Sequence, residues 1–192
     1  PSADVNKNLT SLSCVWTVLQ AAKATRYSML INLGGGMVTD IGGFAAATFK
    51  RGINFVNVPT TLLAMVDASV GGKTGINFGG LKNEIGAFAF PQTVIIDTQW
   101  LETLDHDNLL SGYAEMLKHG LITERKLLPT LLNFDTATFN LHQLSDMLKV
   151  SVAIKEQIVE QDPHEQGIRK ALNFGHTFGH AFEEWAMTRH PI

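Results

Sequence analysis

The chain has 192 residues, a formal net charge of −3 and a single cysteine, and its 45% hydrophobic and 17% charged residues are typical of a folded protein with a substantial core. The slightly acidic charge argues against a nucleic-acid-binding surface, and no apolar run reaches the length of a membrane span. Because Cys14 alone can form neither an internal disulfide nor a cysteine-based zinc site, we expect a soluble, cytoplasmic protein.

The first half of the chain, residues 1–104, alternates between predicted helices and strands. Apolar residues at helical spacing predict helices over residues 9–24, 38–49 and 60–68. Short apolar or β-branched runs predict strands over residues 28–33, 53–58 and 93–97. This alternation is typical of α/β architecture with a parallel sheet. Twelve of the 17 glycines lie in this half, so backbone freedom is concentrated here.

The second half, residues 105–192, has a different character. Helices are predicted over residues 108–121, 141–160 and 172–187, without a clear strand signal. All seven histidines lie in this half, so the side chains that can bind a metal are concentrated here. Because no flexible linker separates the halves, we expect an all-α domain that packs against the α/β domain.

Three consecutive glycines, Gly34, Gly35 and Gly36, follow a predicted strand and open a predicted helix. In that position backbone N–H groups and a helix N-terminus can approach a pyrophosphate. The dinucleotide-binding fingerprint requires a glycine where Thr39 stands, so a plain turn is an equally good interpretation of this motif alone.

A second glycine-rich segment, residues 71–74, resembles a phosphate-binding Walker A loop only superficially. Asp67 stands where that motif requires a glycine, and its charge would oppose a phosphate, so we reject this interpretation. Lys73 can still contact an anion, although an exposed loop lysine is the alternative. Residues 79–83 form another predicted glycine-rich polar loop. Together with Asp67, Lys73 and Arg51, this loop predicts a polar pocket at the glycine-rich edge of the sheet.

Candidate metal ligands lie in the second half. His176 and His180 are four residues apart and share one helical face, which suits a divalent metal, although two structural histidines are the alternative. Glu115 lies beside Lys118 and His119 and could add a carboxylate ligand, whereas a surface ion pair is the simpler interpretation of that segment.

Two cations flank a charged loop over residues 162–165. Lys155 and Arg169 could hold a carboxylate, since the Arg fork offers a bidentate match. A solvated charged loop is the alternative interpretation of this segment.

Taken together, these motifs resemble the 3-dehydroquinate synthase family. The resemblance extends over almost the whole chain and rests on long motifs in the right order, at residues 34–40, 49–52, 59–64, 66–75, 82–83, 114–118 and 172–180. It implies a nucleotide-binding, Rossmann-like α/β domain followed by an all-α metal-binding domain. It also implies conversion of 3-deoxy-D-arabino-heptulosonate 7-phosphate to 3-dehydroquinate and phosphate, with NAD as a recycled oxidant, Zn²⁺ or Co²⁺ as the metal, and a homodimer.

The resemblance assigns roles residue by residue. The substrate phosphate is expected to meet Lys73, Asn83, Asn173 and, across a dimer interface, Arg51. The substrate carboxylate is expected to meet Lys155 and Arg169. The catalytic residues are expected to be Asp67 and Lys118, which would hold ring hydroxyls, and His180, which would assist proton transfer. The expected metal ligands are Glu115 and His176. The expected NAD contacts are Gly34, Gly35, Gly36, Asp40, Thr60, Thr61 and Lys82.

The chain departs from the family pattern near both ends. Asp4 and Lys7 stand where the family has Glu and Lys near the adenosine ribose. A third metal ligand is expected beyond Ile192, in a His-Gly segment; His190 precedes Pro191 rather than a glycine and is not assigned. We therefore expect the first domain to be incomplete at its N-terminus and the second at its C-terminus, and the 192 residues alone to be inactive and to bind metal poorly.

Three other functions fit parts of the pattern. A polyol dehydrogenase that uses a metal and NAD would share the triple glycine and Asp40, but its substrate has no anionic groups for Lys73, Lys155 and Arg169 to bind. A related sugar-phosphate cyclase would keep the phosphate contacts and lose the carboxylate pair. A non-catalytic NAD- or metal-binding module is the third alternative.

Overall fold

The computed structural model describes residues 4–123, 127–138 and 140–187. Within the last helix, the side chains of residues 180, 181, 183, 184, 186 and 187 lie outside this description. The prediction that His180 assists proton transfer therefore concerns a side chain outside the described part of the structure. His190 also lies outside the described residues.

The N-terminal half forms the predicted parallel α/β layer. Its first elements are α1 (Leu9–Ala21), β1 (Met29–Gly34), α2 (Gly36–Thr48) and β2 (Asn54–Pro59). The sheet has the order β1-β2-β5, in which β5 is the short strand Thr93–Val94, and both pairings are parallel. The core of this layer packs α1 and α2 together through Leu12, Ile41 and Phe44, as the helical spacing of these apolar residues predicts.

An antiparallel hairpin occupies the region of the two glycine-rich segments, so the loop prediction holds for residues 71–72 and 79–80 and was wrong for residues 81–83, which are strand. Strands β3 (Lys73–Phe78) and β4 (Leu81–Phe88) are joined by Gly79 and Gly80, both with positive φ, 59° and 84°. Two glycines that accept positive φ between extended segments favour a tight hairpin turn. The predicted helix over residues 60–68 is observed from residue 62, and its main part is the π-helical turn Ala64–Ala68.

The described part of the second half is helical, as predicted. It contains α3 (His106–Ile122), α4 (Leu128–Leu132), α5 (Leu141–Gln161) and α6 (His176–Met187), with a 3₁₀ turn at Ile168–Asn173. Another 3₁₀ turn, Thr98–Thr103, ends the first half. The helix predicted from residue 172 begins four residues later, because Gly175 has a φ of 83° that a helix does not allow. Among the described residues, no helix is long and apolar enough to cross a membrane.

The two halves share one core. Leu62, Met65 and Val66, which follow β2, are buried together with Leu109 and Met116 of α3 and with residues of α5. At Gly112 a Cβ atom would lie 2.4 Å from the backbone nitrogen of Leu63, so only a glycine permits this approach. The predicted packing of the two halves is thus observed, and the segment after β2 is where they meet.

Candidate active site

A cavity of about 480 Å³ lies where α2, the hairpin, α5 and α6 converge. Several of the side chains that line it were singled out from the sequence, namely Asp40, Asp67, Lys73, Asn83, Lys155, Arg169, Asn173 and His176. These residues are far apart in the chain, so the fold brings together the predicted phosphate, carboxylate and metal-binding groups at one place. What each residue binds stays a prediction, because the cavity wall alone does not identify the ligand.

Lys155 and Asp67 form an ion pair in the cavity wall. Lys155, on α5, is 4% exposed, and its Nζ atom pairs with the Asp67 carboxylate and donates a hydrogen bond to the Asp67 carbonyl oxygen at 2.6 Å. Desolvation works to raise the pKa of Asp67, but the charge and hydrogen bond of Lys155 outweigh it and hold that pKa at about 2. Asp67 is therefore an ionised hydrogen-bond acceptor at neutral pH.

Arg169 bridges two loops of the cavity wall. It is 2% exposed; its Nη1 donates to the Pro163 carbonyl at 2.6 Å and its Nη2 donates to the Gly71 carbonyl at 2.7 Å. The fork therefore does not present the bidentate face expected for a carboxylate. A buried guanidinium needs acceptors, and here backbone carbonyls supply them. A role for Arg169 in binding the carboxylate stays a prediction.

Glu165 lies between three residues of the predicted anion site. Its carboxylate pairs with Lys73, accepts a hydrogen bond from Asn173 Nδ2 at 2.6 Å and lies 3.9 Å from Arg169 Nε. From the sequence alone, Glu165 is only one residue of the charged loop over residues 162–165. Its position four residues before Arg169 was the one available signal, since its contact with Lys73 depends on the fold.

Asp40 and Asn83 meet at a second lysine, Lys7. Lys7 is 6% exposed, and its Nζ donates to Asp40 Oδ2 at 3.1 Å and to Asn83 Oδ1 at 2.6 Å. Burial raises the pKa of Asp40 to about 6, although Lys7 acts in the opposite direction. With Asn83 Oδ1 bound to Lys7, the Nδ2 atom is the part of that amide which can donate to an anion.

The predicted NAD contacts of the glycine turn lie at the carboxyl ends of β1 and β2. Thr60 donates its backbone N–H to the Gly34 carbonyl at 3.0 Å, and a Cβ atom on Gly35 would lie 3.1 Å from Thr61 Cγ2. Gly35 is the N-cap of α2 and offers no side chain to its first N–H groups. A helix start of this kind can receive a phosphate group, as the sequence predicts.

Three predicted cations, Arg51, Lys82 and Lys118, do not line the cavity. Arg51 is exposed on the 3₁₀ turn Phe49–Arg51, with a φ of 67°. Lys82 is exposed at the start of β4, with its Nζ atom 3.9 Å from Asp4 Oδ2. Contact of Arg51 with the phosphate, and of Lys82 with NAD, stay predictions.

The predicted metal ligand Glu115 lies on α3 in a buried polar group. Its Oε1 pairs with Lys118 and lies 3.7 Å from His119 Nε2, while His119 Nδ1 is 2.7 Å from Ser151 Oγ. Burial raises the pKa of Glu115 and lowers that of His119 to about 4, so His119 is neutral at physiological pH. His119 and Ser151 are polar core residues that the sequence analysis gave no role.

The two predicted metal ligands differ in their position relative to the cavity. His176 lines the cavity, whereas Glu115 does not. The buried Glu115 Oε1 already has a cation beside it, the ammonium group of Lys118, whose place a metal ion would take. No group of three His, Cys, Asp or Glu side chains gathers within the described residues. The ligand set therefore stays a prediction.

Matches to known proteins cover nearly the whole chain. Residues 1–111 match the family model for the N-terminal domain of 3-dehydroquinate synthase, and residues 112–190 match that for its C-terminal domain. A 3-dehydroquinate synthase from Parabacteroides distasonis is 61% identical over 188 residues, which are 98% of this chain and 53% of that protein. The chain thus spans about half the length of the curated relatives it matches.

Two solved structures are similar in fold. A 2-deoxy-scyllo-inosose synthase complexed with carbaglucose-6-phosphate, NAD⁺ and Co²⁺ matches with a TM-score of 0.89 and 26% identity, over 96% of this chain and 51% of that one. A 2-epi-5-epi-valiolone synthase from Streptomyces hygroscopicus subsp. jinggangensis, with NAD⁺ and Zn²⁺ bound, also has a TM-score of 0.89, with 29% identity over 98% of this chain and 54% of that one. Both support an α/β domain joined to a helical domain.

Proposed function

Because the chain belongs to the 3-dehydroquinate synthase family, we propose that it carries the central part of an enzyme that converts 3-deoxy-D-arabino-heptulosonate 7-phosphate to 3-dehydroquinate and phosphate. The observation that supports this most directly is the cavity in which Lys73, Lys155 and Arg169 lie together. A sugar acid phosphate has two anionic ends, and a site with several cations suits it.

The phosphate of the substrate would bind between Lys73, Asn173 and Asn83. Lys73 supplies a positive charge, and the two amide groups supply directed N–H donors. At the other end, Lys155 would meet the substrate carboxylate together with Arg169, whose bound carbonyls fix its position. The cations would thus orient the sugar between them.

The residues that surround the predicted cofactor sites fit those groups. The uncapped start of α2 and its glycines suit a pyrophosphate, and Glu115 with His176 offers the carboxylate and imidazole that a divalent metal binds. When bound, NAD would accept and later return a hydride, and Zn²⁺ or Co²⁺ would polarise the hydroxyl that is oxidised. Asp40, Thr60, Thr61 and Lys82 complete the proposed NAD contacts.

The remaining chemistry falls to charged side chains of this chain. Asp67, ionised at neutral pH, would accept a hydrogen bond from a ring hydroxyl, and Lys118 would donate one to another oxygen. His180 would assist proton transfer. Phosphate elimination and an intramolecular aldol closure would follow oxidation, and the net reaction would consume no NAD.

We further propose that the active protein is a cytoplasmic homodimer in which Arg51 reaches the phosphate of the neighbouring subunit. Two observations favour this proposal. Arg51 is exposed and lies away from the cavity of its own chain, and Cys14 is an unpaired thiol, as is usual in a reducing compartment.

A chimera tests the proposed function. This chain would replace the matching segment of the Parabacteroides distasonis relative, which supplies the other half of the length. We expect one phosphate released per heptulosonate phosphate consumed, with no net NADH, whereas Lys155→Gln in the same chimera should abolish turnover and Lys23→Gln, on the surface, should not. Net NADH formation, or turnover of heptulose 7-phosphate in preference to the heptulosonate, would contradict the proposal.

A further inference from the structure

Each lysine around the cavity already has a carboxylate partner within the chain. Lys155 pairs with Asp67 and Lys73 pairs with Glu165, and both lysines line the cavity. A ligand anion that binds either lysine must therefore replace, or share the lysine with, a carboxylate that is already present.

The two pairs differ in how firmly they are held. Lys155 is buried, and Asp67 binds it through both its carboxylate and its backbone carbonyl. Lys73 is half-exposed, with 52% of its side chain accessible, and the Glu165 side chain reaches it from the loop after α5. The Lys73–Glu165 pair is therefore the one that an incoming anion can separate at lower cost.

The partners of Glu165 form a site for an anion. Lys73 and Asn173 hold its two carboxylate oxygens, one by charge and one by the 2.6 Å hydrogen bond from Nδ2. They are also the side chains to which the proposed function assigns the substrate phosphate. In this structure the Glu165 carboxylate occupies the place that the proposed function gives to that phosphate.

A second cation is available to a displaced Glu165. The buried Arg169 Nε has no hydrogen bond within the described structure and lies 3.9 Å from Glu165 Oε2. The backbone of the loop is fixed, because the Asp162 carboxylate accepts hydrogen bonds from the backbone N–H groups of Gln166, Gly167 and Arg169. A rotation of the Glu165 side chain alone could therefore exchange Lys73 for Arg169.

We propose that Glu165 is an internal occupant of the phosphate subsite, which the phosphate group of the substrate displaces from Lys73 and Asn173 towards Arg169. This inference rests on the proposed function for the identity of the ligand. In the free site, Glu165 neutralises the charge of Lys73. It also lowers the apparent affinity of the subsite for any anion, because an anion can bind only to the fraction of molecules in which Glu165 has left the subsite.

Binding of inorganic phosphate to the chain, followed by calorimetry at constant ionic strength, tests the exchange. We expect Glu165→Gln to bind phosphate at least about tenfold more tightly than the unsubstituted protein, because the competing carboxylate is gone. Glu160→Gln removes the same charge from an exposed position on α5 and should leave the affinity unchanged. Equal or weaker phosphate binding by Glu165→Gln would overturn the proposal.

Two further measurements keep the test independent of folding and of catalysis. In a Lys73→Gln background the gain from Glu165→Gln should disappear, and a persistent gain would place the effect elsewhere. In the unsubstituted protein, the carboxyl ¹³C signal of Glu165 should move when phosphate is added, and an unmoved signal at saturation would count against displacement. Tighter binding without dehydroquinate formation by the chimera would refute the proposed function and leave the exchange intact.

Discussion

The two ion pairs of the cavity wall, Lys155–Asp67 and Lys73–Glu165, join the same kinds of charge in different surroundings. Each pair has one partner that is more buried: the side-chain exposure is 5% for Lys155 and 38% for Asp67, but 52% for Lys73 and 17% for Glu165. The pairs therefore differ in which charge, the cation or the anion, is away from water. A buried charge that loses its partner is costly, while an exposed one is solvated by water. The first pair is therefore expected to hold the cavity together, and the second to open for a ligand.

The largest expected effect is on the Lys155–Asp67 pair, whose lysine is buried. Asp67→Asn keeps the shape of the side chain but leaves Lys155 without an anion, so we expect the free energy of unfolding to fall by about 3 kcal/mol. Urea unfolding at neutral pH measures this change. Glu165→Gln is the matched comparison, and equal losses from the two substitutions would remove the distinction between the pairs.

A third pair, Lys7–Asp40, sharpens the comparison through its pH dependence. The pKa of Asp40 in the folded protein is about 6, above its ordinary value of 3.8, so the folded state holds this proton more tightly than the unfolded state does. Asp40 therefore contributes stability at low pH that is lost as the pH rises through about 6. We expect the unfolding free energy of Asp40→Asn, relative to the unsubstituted protein, to rise by about 2 kcal/mol between about pH 4 and about pH 7. Urea unfolding across that range measures the difference, and parallel pH curves would contradict it.

The smallest expected effect is on the Lys73–Glu165 pair, whose lysine is half-exposed. Glu165→Gln should change the free energy of unfolding by less than about 1 kcal/mol, because Lys73 remains in contact with water. Added salt should weaken the pair further and reduce even this difference. A loss as large as that of Asp67→Asn, measured by the same urea unfolding, would show that Glu165 holds the loop rather than the subsite.

Local patterns predicted the parallel strands and most of the helices. The runs around β1 and β2 are short and rich in apolar or β-branched residues, and the helical spacing extends over many residues in α3 and α5. Neighbouring residues therefore carry enough signal. The hairpin was missed because Gly79 and Gly80 indicate both a loop and a tight turn. Only the pairing of Lys73–Phe78 with Leu81–Phe88 distinguishes the two.

The membership of the site was predictable, but its internal contacts were not. Asp67, Lys73 and Lys155 were singled out by residue type and by family resemblance, and all three line the cavity. That Glu165 rather than Asp67 would pair with Lys73 depends on which side chains meet across the fold. The hydrogen bonds of Arg169 to the Pro163 and Gly71 carbonyl oxygens were missed for the same reason. Every residue has a backbone carbonyl, so residue types do not indicate which carbonyl will lie next to Arg169 in the fold.

The shared core beneath the cavity has a consequence for how the chain can be divided. Leu62 and Met65 belong to the first half by sequence, yet they are buried against Leu109 and Met116 of the second. A break in the chain between residues 104 and 105 would split this apolar layer between two polypeptides. We therefore expect the two halves to unfold together in a single cooperative transition. A fragment that ends at residue 104 should expose the apolar side chains of this layer to water and aggregate.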